Sequence, residues 1–202
     1  MRFGFFGGTF NPVHLGHLTL ANEAIESLQL DHLWWLPANP WQKDAADLMP
    51  VDDRLEMLKR AIADQTKMSI DTRELDRHTS SYSIDTVKEL AQLYPKDDRF
   101  YLIGSDQWEN FHTWKNWRDI FDYVTIVVFS RNGQHNVPAT EVSRFLSQHA
   151  IEVKMLTMPA LDIESSQIRK MLAQQPCNYS LLKNKLPSNV LNYLQAKELR
   201  KD

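Results

Sequence analysis

Apolar positions along this chain alternate between two spacings. Short, almost continuous apolar runs read as strands: Phe3–Phe6, His32–Leu36, Met68–Ile70, Phe100–Ile103, Tyr123–Phe129 and Ile151–Leu156. Between them, apolar residues recur every three or four positions, as on one face of a helix. The spacing predicts a helix over Leu15–Leu28, with Leu18, Ile25 and Leu28 on one face, and another over Val51–Ile62, with Leu55, Leu58 and Ile62 in register. Ile84, Val87, Leu90, Ala91 and Tyr94 mark a third, stopped by Pro95, and Glu141–Gln148 a fourth. Two shorter helices, near Ser166–Ala173 and Ser188–Ala196, close the chain. Strands that alternate with helices in this way imply βαβ units, hence an α/β fold on a doubly wound parallel sheet. The continuous run at Tyr123–Phe129 suits a strand buried on both faces. Residues 1–202 read as one domain, with a small C-terminal helical appendage from about 164 onward.

Composition narrows the class of function. Of 202 residues, 43% are apolar, enough for a sizeable core, and the net charge is −3. With no basic tract, non-specific binding to nucleic acid is not expected, and any phosphate must be held by local groups. The single cysteine, Cys177, forms no disulfide within the chain. No run approaches the roughly 20 apolar residues that span a bilayer, and the chain starts on a strand rather than a basic, then apolar, leader. A cytoplasmic protein without a membrane partner is the expectation.

Three blocks carry candidate chemistry. In the first, the opening strand runs into Gly7-Gly8-Thr9-Phe10, then an Asn11-Pro12 turn, then a helix opening on His14-Leu15-Gly16-His17. Gly7 and Gly8 let backbone approach a ligand, although such a pair also serves ordinary turns. A helix start presents unpaired N–H groups and a partial positive charge. The two histidines share a face, as a metal pair or as two satisfied polar groups would, but no third metal ligand lies nearby in sequence. Gly16 within the helix costs about 1 kcal/mol relative to alanine, so something, a ligand or another helix, comes close. The second block, Ile163-Glu164-Ser165-Ser166-Gln167-Ile168-Arg169, places Ser165 as an N-cap with Arg169 one turn in. It reads either as a plain capped helix or as a second phosphate cradle. The third is Gly104-Ser105-Asp106 followed by Trp114-Lys115-Asn116-Trp117. There an aspartate beyond a strand end can accept from ribose hydroxyls, Trp114 can stack on a planar ring, and Trp117 reads as core. The polar, proline-punctuated stretch 37–50 could fold over a ligand, and the apolar residues near 34–41 could serve a lid or a contact between copies of the chain in a homo-oligomer.

These blocks, with Ser81-Tyr82-Ser83, resemble the nucleotidyltransferase superfamily that carries a His-x-Gly-His signature. Within it they resemble the bacterial nicotinate-nucleotide adenylyltransferases, over essentially the whole length. The resemblance implies a Rossmann-like domain that transfers adenylyl from ATP to nicotinate mononucleotide, with Mg²⁺ carried on the phosphates rather than by a protein metal site. It further implies that His14, His17 and Arg169 stabilise the transition state. Gly7, Gly8, Thr9, Phe10, Lys43, Gly104, Asp106, Ser165 and Ser166 would hold ATP, and Ser83, Trp114 and Lys115 the nicotinate nucleotide. The chain departs from the family at Asn39-Pro40-Trp41-Gln42-Lys43, which can displace Lys43, at Asn11 in place of aspartate, and at Glu164 in place of serine. Glu164, an acid beside the phosphate site, is expected to point away. An enzyme of the same fold acting on nicotinamide mononucleotide or phosphopantetheine, and a nucleotide sensor without catalysis, are the competing readings.

Overall fold

The computed structural model of the protein describes residues 1–38, 48–77, 80–131, 137–158 and 162–198. Six strands form one parallel sheet in the order β3-β2-β1-β4-β5-β6. They are β1 (Arg2–Gly8), β2 (His32–Pro37), β3 (Met68–Ile70), β4 (Asp98–Gly104), β5 (Thr125–Arg131) and β6 (Lys154–Met158). The chain winds outward from β1 to one edge, returns to β4 beside β1, and winds to the other edge, which is the doubly wound arrangement expected from the sequence. The longer helices are α1 (Leu15–Ser27), α2 (Val51–Ala61), α4 (Ser83–Leu93), α7 (Thr140–His149), α8 (Ser165–Leu172) and α9 (Ser188–Glu198). Three short ones, α3 (Arg73–Asp76), α5 (Ser105–Glu109) and α6 (Trp117–Ile120), are not visible in the sequence pattern.

Neighbouring side chains on a strand point to opposite faces, so each apolar strand supplies two cores. Phe6, Phe100 and Leu102 face Ala21 and Ala24 of α1, Met57 and Leu58 of α2, and Val190, Leu191 and Leu194 of α9. Phe5, Tyr101 and Ile103 face Ile84, Val87 and Leu90 of α4, together with Trp117 of α6 and Val142 of α7. The C-terminal helices therefore belong to the first core. Burial of each such aliphatic side chain contributes about 1.5–3 kcal/mol, and α9 is also tied to α2 through Asp53, which accepts from the Tyr193 hydroxyl at 2.7 Å and pairs with Lys197.

Two strand boundaries move. The last strand spans Lys154–Met158 rather than Ile151–Leu156. Ala150, at φ 51° and ψ 40°, ends α7 in the left-handed region, and the Ile151 N–H returns to the Leu146 carbonyl at 3.0 Å. The apolar Ile151 thus closes the helix end. Likewise Tyr123 and Val124 donate back to Ile120, leaving β5 to start at Thr125.

Candidate active site

The carboxyl ends of β1, β4 and β5 and the start of α1 enclose a cavity of about 380 Å³, at the point where the winding reverses. Gly7, Gly8, Thr9 and Phe10 line one side, and His14 and His17 the helix start. Gly104 and Asp106 line the β4 side, and Ser165 and Arg169 the start of α8. The first two sequence blocks and the Gly104-Ser105-Asp106 part of the third therefore meet in one place.

The two histidines are built as a unit. His14 is the N-cap of α1: its Nδ1 accepts from the His17 N–H at 3.3 Å, while Nδ1 of His17 accepts from the His14 N–H at 3.2 Å. Each residue caps the other, and the rings stack with centroids 3.6 Å apart. Because both Nδ1 atoms accept, both ring protons belong on Nε2, which makes each imidazole a donor at that atom. Gly16 permits this arrangement, since a Cβ there would come within 3.0 Å of His14 Nδ1. The close approach expected at Gly16 is thus that of the His14 ring, not of another helix.

The two strand-end glycines also answer to the protein itself. A Cβ on Gly7 would lie 2.8 Å from the Tyr101 hydroxyl, and one on Gly8 would lie 2.9 Å from the Phe10 ring. Phe10, buried at φ 47°, turns its ring under the loop against Phe6, His17 and Trp35. These glycines line the cavity, yet the space they leave open is filled by aromatic side chains.

Asn11 joins the first block to the second. Its carbonyl accepts from Arg169 at 2.8 Å and its Oδ1 accepts from the Met49 N–H at 2.9 Å, while Ser165 Oγ donates to the Pro12 carbonyl at 3.0 Å. The peptide between Asn11 and Pro12 is cis. Helix α8 starts at Ser165 with Glu164 at the N-cap position, one residue earlier than the sequence suggested. Ser166 is exposed, donates to Glu164 Oε2 at 3.1 Å, and is not among the residues lining the cavity. Lys43, with Trp41, lies outside the described residues.

A second cluster gathers the remaining sequence candidates. Ser83 opens α4, and its Oγ lies 3.5 Å from the Tyr101 hydroxyl. The Tyr101 ring meets half-buried Trp114 edge-on at 6.4 Å, and Lys115 Nζ sits 4.1 Å over the Tyr82 ring. Ser83, Trp114 and Lys115 do not line the cavity itself. Tyr101, whose hydroxyl lies beside Gly7, is the seam between the two groups. Burial pushes the Tyr101 phenol well above its usual pKa, so it stays protonated. Below it Glu74, almost fully buried, accepts from Thr86 Oγ1 at 2.7 Å, and that oxygen also accepts from Arg77 at 2.8 Å.

Sequence reasoning missed Arg54. Its side chain is 1% exposed and donates to the carbonyls of Thr9 (2.7 Å), Ala38 (2.9 Å) and Met49 (3.2 Å). The available signal was its spacing, since Arg54 lies three and four residues from Met57 and Leu58 and so falls on the buried stripe of α2. Among the described residues no three His, Cys, Asp or Glu side chains converge to hold a metal ion, and no helix is long and apolar enough to cross a membrane.

A cytidylyltransferase-like family model matches residues 5–171. A protein of Methylibium petroleiphilum, named a probable nicotinate-nucleotide adenylyltransferase, is 38% identical over 199 residues, covering 98% of this chain and 92% of its own. One of the same name from Shouchella clausii is 37% identical over 180 residues, covering 88% of each chain. Among solved structures, the nicotinic acid mononucleotide adenylyltransferase of Plasmodium falciparum complexed with NaAD shares the fold, with a TM-score of 0.75 at 18% identity, covering 98% of this chain and 96% of the other. With that cleft and these relatives, the chain belongs to the cytidylyltransferase-like family, among its nicotinate-nucleotide adenylyltransferases.

Proposed function

We infer that the chain transfers the adenylyl group of ATP to nicotinate mononucleotide, releasing pyrophosphate and forming nicotinate adenine dinucleotide, a step of NAD biosynthesis. The observation that carries this reading is the stacked His14–His17 pair at the start of α1, which lines, together with Arg169, a cleft that adjoins the Ser83–Trp114 cluster. A phosphate oxygen of the mononucleotide attacks the α-phosphorus of ATP. The bond from that phosphorus to the bridging oxygen breaks, and its electron pair leaves with pyrophosphate. The acceptor is already an anion, so no strong base is required. What remains for the protein is alignment and stabilisation of charge that moves onto the leaving group.

In this reading the Nε2–H groups of His14 and His17 donate to the phosphates and Arg169 supplies the positive charge. The backbone at Gly7, Gly8, Thr9 and Phe10 and the Ser165 hydroxyl complete the cradle. Gly104 and Asp106 flank the nucleoside. Ser166 would join only by giving up its bond to Glu164. ATP enters as its Mg²⁺ complex, the ion riding on the phosphates as part of the substrate. Trp114 stacks on the pyridine, while Ser83 and backbone N–H groups near Trp114 and Lys115 receive its carboxylate. The chain works as one cytoplasmic nucleotidyltransferase domain over 1–202. The test is pyrophosphate release with ATP and Mg²⁺, comparing nicotinate mononucleotide, nicotinamide mononucleotide and phosphopantetheine. Strong preference for the first is expected. Equal or better use of either of the others overturns the substrate, and no release with any overturns the reaction.

A further inference from the structure

Arg54 is buried, charged and paired with no carboxylate among the described residues, an arrangement that proteins seldom leave without a purpose. Two of its nitrogens serve three carbonyls from three separate segments, and the third nitrogen, Nη2, is buried with no partner. Desolvation lowers its pKa, but a guanidinium remains charged in proteins.

The strongest of its bonds, 2.7 Å, goes to the carbonyl of Thr9, which lines the cavity. In a trans peptide the C=O and the following N–H point in opposite directions. With the Thr9 carbonyl turned inward to Arg54, the Phe10 N–H must point the other way. That N–H finds no acceptor among the described residues, although Phe10 is only 2% exposed. A buried, unpaired backbone donor is rare and costly unless something comes to meet it. The adjacent peptide is held in the same sense, since the Gly8 carbonyl accepts from the Ala38 N–H at 2.9 Å, and Arg54 in turn grips the Ala38 carbonyl.

We propose that Arg54 is a positioning residue for the polyphosphate: by holding the Thr9 carbonyl it fixes and polarises the Thr9–Phe10 peptide so that the Phe10 N–H donates to a phosphate oxygen in the cavity. A cation on the carbonyl side strengthens the donor on the other side of the same peptide. The charge is thereby brought to bear on the phosphate through one rigid group, without contact between Arg54 and the ligand. The inference rests on the cleft being the ATP site.

The experiment is calorimetric titration of wild type, Arg54→Met and Arg54→Lys with Mg·ATP and, separately, with nicotinate mononucleotide, alongside melting curves. A bond to a charged group is worth a factor of about ten to a hundred. Arg54→Met should therefore weaken ATP binding by about that factor and leave the mononucleotide within about twofold. Arg54→Lys keeps the charge but concentrates its donors on one nitrogen, so it should recover part of the ATP affinity. It also carries the test if the Met variant does not fold. Unchanged ATP affinity in the folded variants, or equal loss for both ligands, overturns the positioning role. Absence of ATP binding by wild type would instead overturn the assignment of the cleft.

Discussion

Replacing Gly7 by alanine separates two reasons for a glycine at the mouth of this cleft. The added Cβ would meet the Tyr101 hydroxyl at 2.8 Å and the ring carbon that bears it at 3.4 Å. Tyr101 is 3% exposed and its ring meets Trp114 edge-on, so a shift of the ring disturbs packing on both sides. Overpacking of this kind costs about 1–3 kcal/mol, which in a chain of this length lowers the melting temperature by about 2–4 °C per kcal/mol. Tyr101→Phe removes the offending oxygen and forfeits only the 3.5 Å contact with Ser83, a change worth about 1 kcal/mol at most. In that background the nearest ring carbon stands at 3.4 Å, and Gly7→Ala should cost less than about 0.5 kcal/mol. Urea unfolding of the four proteins in this double-mutant cycle should give a coupling energy between about 0.5 and 3 kcal/mol. Additive effects, within about 0.5 kcal/mol, would show that Tyr101 is not the reason for Gly7.

Two further predictions concern charge. His17→Ala should lower kcat for pyrophosphate release by about 10²–10³, the scale of losing one charge-stabilising donor, and should cost about 1 kcal/mol of stability because the His14 N–H loses its acceptor. Activity within a factor of two of wild type would remove His17 from the mechanism. At Glu74 burial outweighs the Thr86 and Arg77 contacts and holds the carboxyl above its ordinary pKa. The folded state therefore favours the protonated form, an advantage present below the unfolded pKa and lost as pH rises through the folded one. Glu74→Gln should accordingly melt higher than wild type at pH 7 and alike at pH 4; the same gap at both pH values would contradict this.

Much of the architecture was legible because it rests on long apolar patterns. The strands under Phe3–Phe6 and Phe100–Ile103 and the helices under Leu15–Leu28 and Val51–Ile62 stand where the spacing placed them. The short helices at Arg73–Asp76, Ser105–Glu109 and Trp117–Ile120 span one turn or little more, too few residues for a helical period to repeat. Ile151 misled because an apolar residue closing a helix looks like one opening a strand. Within the cleft, the glycines marked close approach correctly, but a sequence cannot say what approaches, and here it is Tyr101, Phe10 and His14. Arg54 escaped notice because a charged residue in a helix is ordinarily solvated, and only the fold brings the Thr9, Ala38 and Met49 carbonyls around it.

The place of β1 at the centre of the sheet has a consequence for synthesis on the ribosome. Strand β1, which carries Phe3, Phe5 and Phe6 and the glycines of the cleft, emerges before both of its partners, and one of them, β4, ends only at Gly104. Until then β1 has an open edge and aromatic side chains without their full cover, a state that invites aggregation and chaperone binding. The strand that leads into the cleft is therefore made well before its pairing is completed. Synonymous changes or pauses before residue 104 should lower soluble yield more than changes after it.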